Sequence, residues 1–133
     1  MARDPHDLGP EVLAFLTERH LATLTTLRAD GSPHATVVWV DGEGDLVRIN
    51  ITTTRAKYRH LRRDARVAVL VVDRGDPYRW LAVDGHAELT EEGAEAHIHG
   101  LSRKYFGRDY VLPPGERRVL VRVRPERVHA YGL

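Results

Sequence analysis

The sequence predicts an α+β fold that is mainly β: a small antiparallel barrel with helices at its rim. Three observations carry this prediction. Its β-rich runs are short and separated by hairpin turns, its helical segments are few, and one strand-like run is long enough to bend. The chain has 133 residues, the size of one domain, so a single domain over residues 1–133 is expected.

Val12, Leu13, Phe15 and Leu16 form the first apolar pattern, and Pro10 suits a first helical position. Residues 10–19 therefore read as a short amphipathic helix. Residues 21–27 are rich in β-formers and stop before Asp30-Gly31, a hairpin signal because glycine takes the positive φ of a tight turn. Residues 34–40 are the returning strand, 41–45 a second turn and 46–51 a third strand, which together predict a meander. From residue 55 to 63 the period changes, with Tyr58, Leu61 and Ala65 on one side of a short helix. The nearly continuous β-branched run 66–73 predicts a central strand. Residues 78–89 form a long strand in which Asp84-Gly85 marks a bulge or sharp bend. Thr90 is expected to cap a helix running to about residue 105, with Glu91 and Glu92 in its first turn. Beyond Pro113-Pro114-Gly115, residues 118–123 alternate as a half-exposed strand, and 127–131 read as a further short one.

Composition removes many function classes. Without cysteine there is no disulfide framework, thiolate nucleophile, CxxC pair or thiolate zinc site. The longest apolar runs, such as 67–72, fall far short of the roughly 18–20 residues of a membrane span. Met1-Ala-Arg-Asp-Pro-His-Asp lacks the apolar stretch of a signal peptide, so a cytoplasmic location is expected. A net charge of +1 argues against wholly electrostatic nucleic-acid binding. Of the 20 basic residues only Lys57 and Lys104 are lysine, an imbalance read as codon usage that still marks both positions.

The catalytic inventory is thin. No G-x-S-x-G, H-E-x-x-H, P-loop or G-x-G-x-x-G is present. His97 and His99, two apart on a helix, point to different sides and cannot chelate one metal; the surface is their expected place. Asp73 and Asp76 read as turn-shaping residues. The segment from Ile51 through Thr52, Thr53 and Thr54 to Arg55 and Lys57 is different: a strand end, hydroxyls, then a helix start with two cations. Free N–H groups and the positive end of the helix dipole make such a start a natural phosphate site, and a guanidinium adds charge-assisted bonds. The competing reading is a solvated helix face formed by Arg55, Arg59, Arg62 and Arg66, and the segment alone does not decide. A nucleic-acid interface ranks below a phosphate-bearing small ligand, because Asp64, Asp73 and Asp76 interrupt the basic patch and aromatics are only 7%. Trp39 and Trp80, with Tyr78 beside the latter, offer either core filling or a surface for a planar ligand.

In order and spacing these parts resemble the pyridoxamine 5′-phosphate oxidase-like split β-barrel proteins. The resemblance rests on residues 15–27 followed by Asp30-Gly31-Ser32-Pro33-His34, on residues 55–64 and 78–89, and on 117–123 near the end. Within that family the chain is most similar to the short flavin/deazaflavin oxidoreductases of the B type. The resemblance implies a split β-barrel of the FMN-binding type, a homodimer, and a cofactor groove at each end of the subunit interface. The implied cofactor is coenzyme F420, with FMN as the alternative, since its ribityl phosphate suits the same cations. Arg55 and Lys57 would hold the phosphate beside Thr52 and Thr53. His34, Thr36 and Val38 would face the ring, with Asn50, Ile51 and Thr52 on the neighbouring strand. Trp80 and Arg118 would approach from the partner subunit. Pyridoxamine phosphate oxidases proper are longer and carry substrate contacts in a C-terminal extension, a departure that argues against vitamin B6 oxidation. The expected function is transfer of a hydride from reduced deazaflavin to an activated double bond of a small molecule, such as a conjugated enone, a quinone or a tetrapyrrole bridge. Two alternatives stand beside it, an FMN-binding oxidoreductase of the same fold and a non-catalytic F420 carrier.

Overall fold

The computed structural model describes residues 7–133; residues 1–6, which hold most of the segment read above for a signal peptide, lie outside the described residues. In chain order the elements are α1 (Pro10–Thr17), β1 (Ala22–Leu27), β2 (Pro33–Val38), β3 (Asp41–Glu43), β4 (Leu46–Thr52), α2 (Ala56–Arg63), β5 (Arg66–Val72), β6 (Trp80–Thr90), α3 (Ala94–Phe106) and β7 (Arg118–Tyr131). The strands form one antiparallel sheet in the order β2-β1-β5-β6-β7-β4-β3.

That order explains the barrel. Its two outermost strands, β2 and β3, are consecutive in the chain with only Trp39 and Val40 between them. A sheet whose edges are joined by two residues has to curl until those edges meet. They meet without a ladder between β2 and β4, and the opening left there is the split of the barrel.

The β1–β2 hairpin forms as expected. Gly31 takes φ 85°, and Asp30 Oδ1 accepts from the Ser32 N–H at 2.9 Å. The predicted three-stranded meander does not form. Residues 41–43, read as turn, are an edge strand, the turn tightens to Gly44-Asp45, and β4 pairs with β3 and β7 instead of β2. An alternating run has two hydrogen-bonding edges, and local pattern does not say which neighbour each will find.

Gly85 sits where β6 and β7 approach most closely: a Cβ there would lie 2.1 Å from the Arg124 carbonyl oxygen. The register shifts at this point, Asp84 opposing Arg127 and Gly85 opposing Pro125, so Glu126 is the extra residue of the bulge. The two predicted terminal strands are consequently one strand, bent around that bulge. Helix α3 begins at Ala94 behind a left-handed Gly93, not at Thr90, which still belongs to β6. The Thr90 hydroxyl accepts from the Glu92 N–H at 3.1 Å and shapes the turn before the helix.

Inward residues of the strands, among them Leu24, Ile49, Val69, Leu81, Val83 and Val121, fill the barrel, and Val12, Phe15 and Leu16 of α1 join the same cluster. Among the described residues no helix is long and apolar enough to cross a membrane.

Candidate functional site

A groove runs along the split, with a cavity of about 450 Å³. One wall is β2 (Thr36, Val37, Val38) continuing into Trp39; the other is β4 (Asn50, Ile51, Thr52). Arg55 and Lys57 close one part, and Tyr110, Glu116 and Arg118 another. Such a volume suits a small-molecule ligand.

Local structure explains the cations. Strand β4 ends at Thr52, and Arg55 is the N-cap of α2 with an extended backbone and no side-chain cap. The first N–H groups of the helix thus lack a partner from a capping side chain. Lys57 reaches across the split, its Nζ donating to Thr36 Oγ1 at 3.2 Å. Burial first, and then the charges of Arg55 and Arg118, hold the Lys57 ammonium below the ordinary lysine value of 10.5. Three cations converging in one groove favour an anion between them.

Arg118 is the most constrained of the three. Its Nε donates to Asn50 Oδ1 at 2.7 Å, and its guanidinium lies 5.2 Å from the Tyr110 ring centroid. Its NH1 faces Glu116 Oε1 at 3.4 Å. The other Glu116 oxygen is buried and has no hydrogen-bond partner among the described residues. Asn50 is itself anchored, its Nδ2 donating to Ala94 O at 2.9 Å and to His97 Nδ1 at 3.1 Å. His97 Nε2 lies 3.0 Å from Asp41 Oδ1, and Arg48 grips the same carboxylate with Nε and NH2, both at 2.9 Å. Burial would raise the Asp41 carboxyl, but its bonds to His97 and Arg48 outweigh that and hold it below the ordinary value.

Of the residues singled out from the sequence, Thr36, Val38, Asn50, Ile51, Thr52, Arg55, Lys57 and Arg118 line this groove together. Arg118 does so within the same chain. Thr53, His34 and Trp80 lie outside it. Thr53 is tied to the Arg117 carbonyl through its N–H. His34 shares the Thr36 face of β2 but sits two residues along, where its ring meets His60 edge-on at 5.0 Å. Trp80 lies beside His129 and Tyr131, stacking on the latter at 6.0 Å between centroids.

The surface expectation for His97 is overturned. Its side chain is 2% exposed because Asp41 and Asn50 take its two nitrogens. Glu116 and Tyr110 were missed, having no signal beyond proximity to the Pro-Pro-Gly loop.

Glu18, His20 and Asp73 bring three potential ligand atoms within 4.8 Å of one another. Arg79 binds both carboxylates, and His20 Nδ1 accepts the Arg74 N–H at 3.0 Å, leaving its proton on Nε2 towards Glu18. The cluster is a self-satisfied ion-pair network.

Comparison with known proteins agrees with this fold. The chain is 36% identical over 121 residues to an F420H2-dependent biliverdin reductase of Mycobacterium tuberculosis (strain CDC 1551 / Oshkosh), covering 91% of this chain and 86% of that protein. Its fold matches the solved structure of an F420 reductase with a TM-score of 0.78 at 31% identity, over 87% of this chain and 94% of that one. A conserved hypothetical protein of Mycobacterium tuberculosis matches with a TM-score of 0.76 at 25% identity, over 98% and 89% of the two chains. The sequence profile of pyridoxamine 5′-phosphate oxidase matches residues 8–132, nearly the whole sequence, and the chain belongs to that family.

Proposed function

We propose that the protein is an F420H2-dependent reductase that passes a hydride to an activated double bond of a small molecule, such as an enone, a quinone or a tetrapyrrole bridge. The observation that carries this reading is the groove itself. Arg55, Lys57 and Arg118 converge there, and among the described lining residues Glu116 is the single carboxylate. That donor set fits a phosphate-bearing cofactor. The likeness to an F420H2-dependent biliverdin reductase and to an F420 reductase supports deazaflavin as its identity.

When bound, reduced deazaflavin supplies the hydride from its own ring carbon. The chain binds and orients. Arg55 and Lys57 neutralise the phosphate at the start of α2, and Thr52 adds a hydroxyl. Val38 and Ile51 offer apolar contact on opposite walls, and Trp39 lines the same groove. Holding the acceptor at roughly 3–3.5 Å from the donor carbon is the main rate contribution available to such a site.

The reading includes a homodimer. Leu21, Val37, Leu70, Val72 and Tyr131 expose large apolar side chains on the outside of the sheet. Leu21 and Val37 also line the groove, so a second protomer seated on this face would border the cofactor.

Titration of purified protein with F420, followed by its fluorescence, tests the reading, with FMN in parallel. Saturable F420 binding and oxidation of F420H2 by at least one acceptor of these classes are expected. Binding of FMN alone would replace the cofactor. F420 binding without turnover across the acceptor panel would leave a carrier.

A further inference from the structure

The buried polar chain behind the groove has a direction, and one end forces it. A guanidinium only donates. The Asn50 atom 2.7 Å from Arg118 Nε must therefore be Oδ1. The amide NH2 then faces away, towards Ala94 O at 2.9 Å and His97 Nδ1 at 3.1 Å. His97 Nδ1 must in turn be the lone-pair nitrogen, so the ring proton sits on Nε2, 3.0 Å from Asp41 Oδ1. Arg48, a pure donor, closes the series on the Asp41 carboxylate. Each link takes its polarity from the one before, so none reverses alone.

Four elements contribute: Asp41 from β3, His97 from α3, Asn50 from β4 and Arg118 from β7. Asp41 and His97 do not line the groove. We propose that they are positioning residues, locking the Asn50 amide so that its oxygen aims the Arg118 guanidinium at an anionic group of the ligand. Without His97 the Asn50 NH2 keeps one acceptor instead of two, the Ala94 carbonyl, and the amide that aims Arg118 is held less firmly. With His97 in place, Nε is fixed by Asn50, the guanidinium is flanked by Tyr110, and NH1 faces Glu116. Among the described residues nothing accepts from Arg118 NH2, the nitrogen left to meet a ligand. The aiming of Arg118 at a ligand rests on the proposed function; the lock does not.

His97→Phe removes both ring nitrogens, whereas His97→Gln can replace the acceptor with its amide oxygen and the donor with its NH2. In side-chain NMR of ligand-free protein, the Arg118 Nε–H signal should exchange slowly in wild type and His97→Gln and rapidly in His97→Phe. Affinity for F420 should fall about tenfold in His97→Phe, the order of one hydrogen bond to a charged group. His97→Gln should restore most of it. In an Arg118→Ala background His97→Phe should cost nothing further. An undiminished Arg118 signal in folded His97→Phe, or a full additional loss of affinity in the Arg118→Ala background, overturns the proposal. Ring nitrogen shifts of the wild type give a check that needs no variant: a proton on Nε2 is required, and a proton on Nδ1 also overturns it. Were F420 not to bind the wild type, the proposed function would fall while both NMR measurements still judged the lock.

Discussion

At the residue scale, Lys57 carries a conflict that a ligand relieves. Burial and the neighbouring charges of Arg55 and Arg118 already depress its pKa. An incoming phosphate favours the charged ammonium, so binding raises that pKa again and takes up a proton. Affinity for F420 should therefore fall as pH rises through the depressed value towards 10.5, the ordinary lysine value. Isothermal titration in buffers of different ionisation enthalpy reads the proton uptake, and an absence of uptake in alkaline buffer would remove Lys57 from the site. Arg55→Ala with Lys57→Ala should weaken binding by about 100-fold, the order expected for charge-assisted bonds. The melting temperature should hardly move, because Arg55 is exposed and makes no ion pair among the described residues. This pair was legible in the sequence because hydroxyls, cations and a helix start are adjacent in the chain. Asp41 and His97 were not, since what gives them a role is contact across 56 positions with each other and, for His97, across 47 with Asn50. Glu116 and Tyr110 act through nearby Arg118, whose own place is set by Asn50, 68 positions away.

Elements are held in place by a few contacts that local patterns hide. Lys104 near the end of α3 donates to Leu16 O at 2.6 Å and Val40 O at 2.5 Å, tying α3 to α1 and to the β2–β3 link. Tyr105 adds a bond from its hydroxyl to His20 O at 2.6 Å. Burial lowers the Lys104 pKa to about 8, with Asp41 pulling the other way. A folded pKa below the unfolded one means that the unfolded chain binds more protons between the two values. Stability owed to this group should therefore rise from about pH 8 towards 10.5. Denaturant unfolding of wild type against Lys104→Met across that window measures the slope, and equal slopes would refute the assignment. Gly85→Ala should destabilise by about 3 kcal/mol or more and lower the melting temperature by roughly 10 °C. Its Cβ would meet backbone 2.1 Å away, which no side-chain rotation relieves. Scanning calorimetry decides it. The Asp84-Gly85 signal, the first hairpin and the positions of the first two helices were readable from period and turn residues, and the third helix up to a start four residues too early. The pairing of β4 was not, because its partner β7 follows some 70 residues later, beyond the reach of any turn signal.

For the whole molecule, the sheet's outer face is the feature a monomer leaves unexplained. Across five strands the register aligns Val37, Thr23, Leu70, Ala82 and His129, and a neighbouring row aligns Val72, Trp80 and Tyr131. Strand alternation sends all of these outward, opposite the buried Val69, Val71, Leu81 and Val83. A contiguous apolar patch on a protein of this size marks an interaction surface. Under the proposed homodimer a second copy covers this face and would also border Leu21 and Val37, which belong to the face and to the groove wall together. Wild-type protein should sediment as a dimer. Leu70→Glu, placing a charge mid-row, should yield a monomer with an unchanged circular dichroism spectrum, since Leu70 is 43% exposed and supports nothing inside the barrel. If the second protomer completes the groove, the same variant should also weaken F420 binding, although Leu70 does not line that groove. A wild type that stays monomeric at every concentration would refute the interface. A dimer lost without loss of F420 affinity would instead confine the cofactor site to one chain, and Trp80 would then have no part in it.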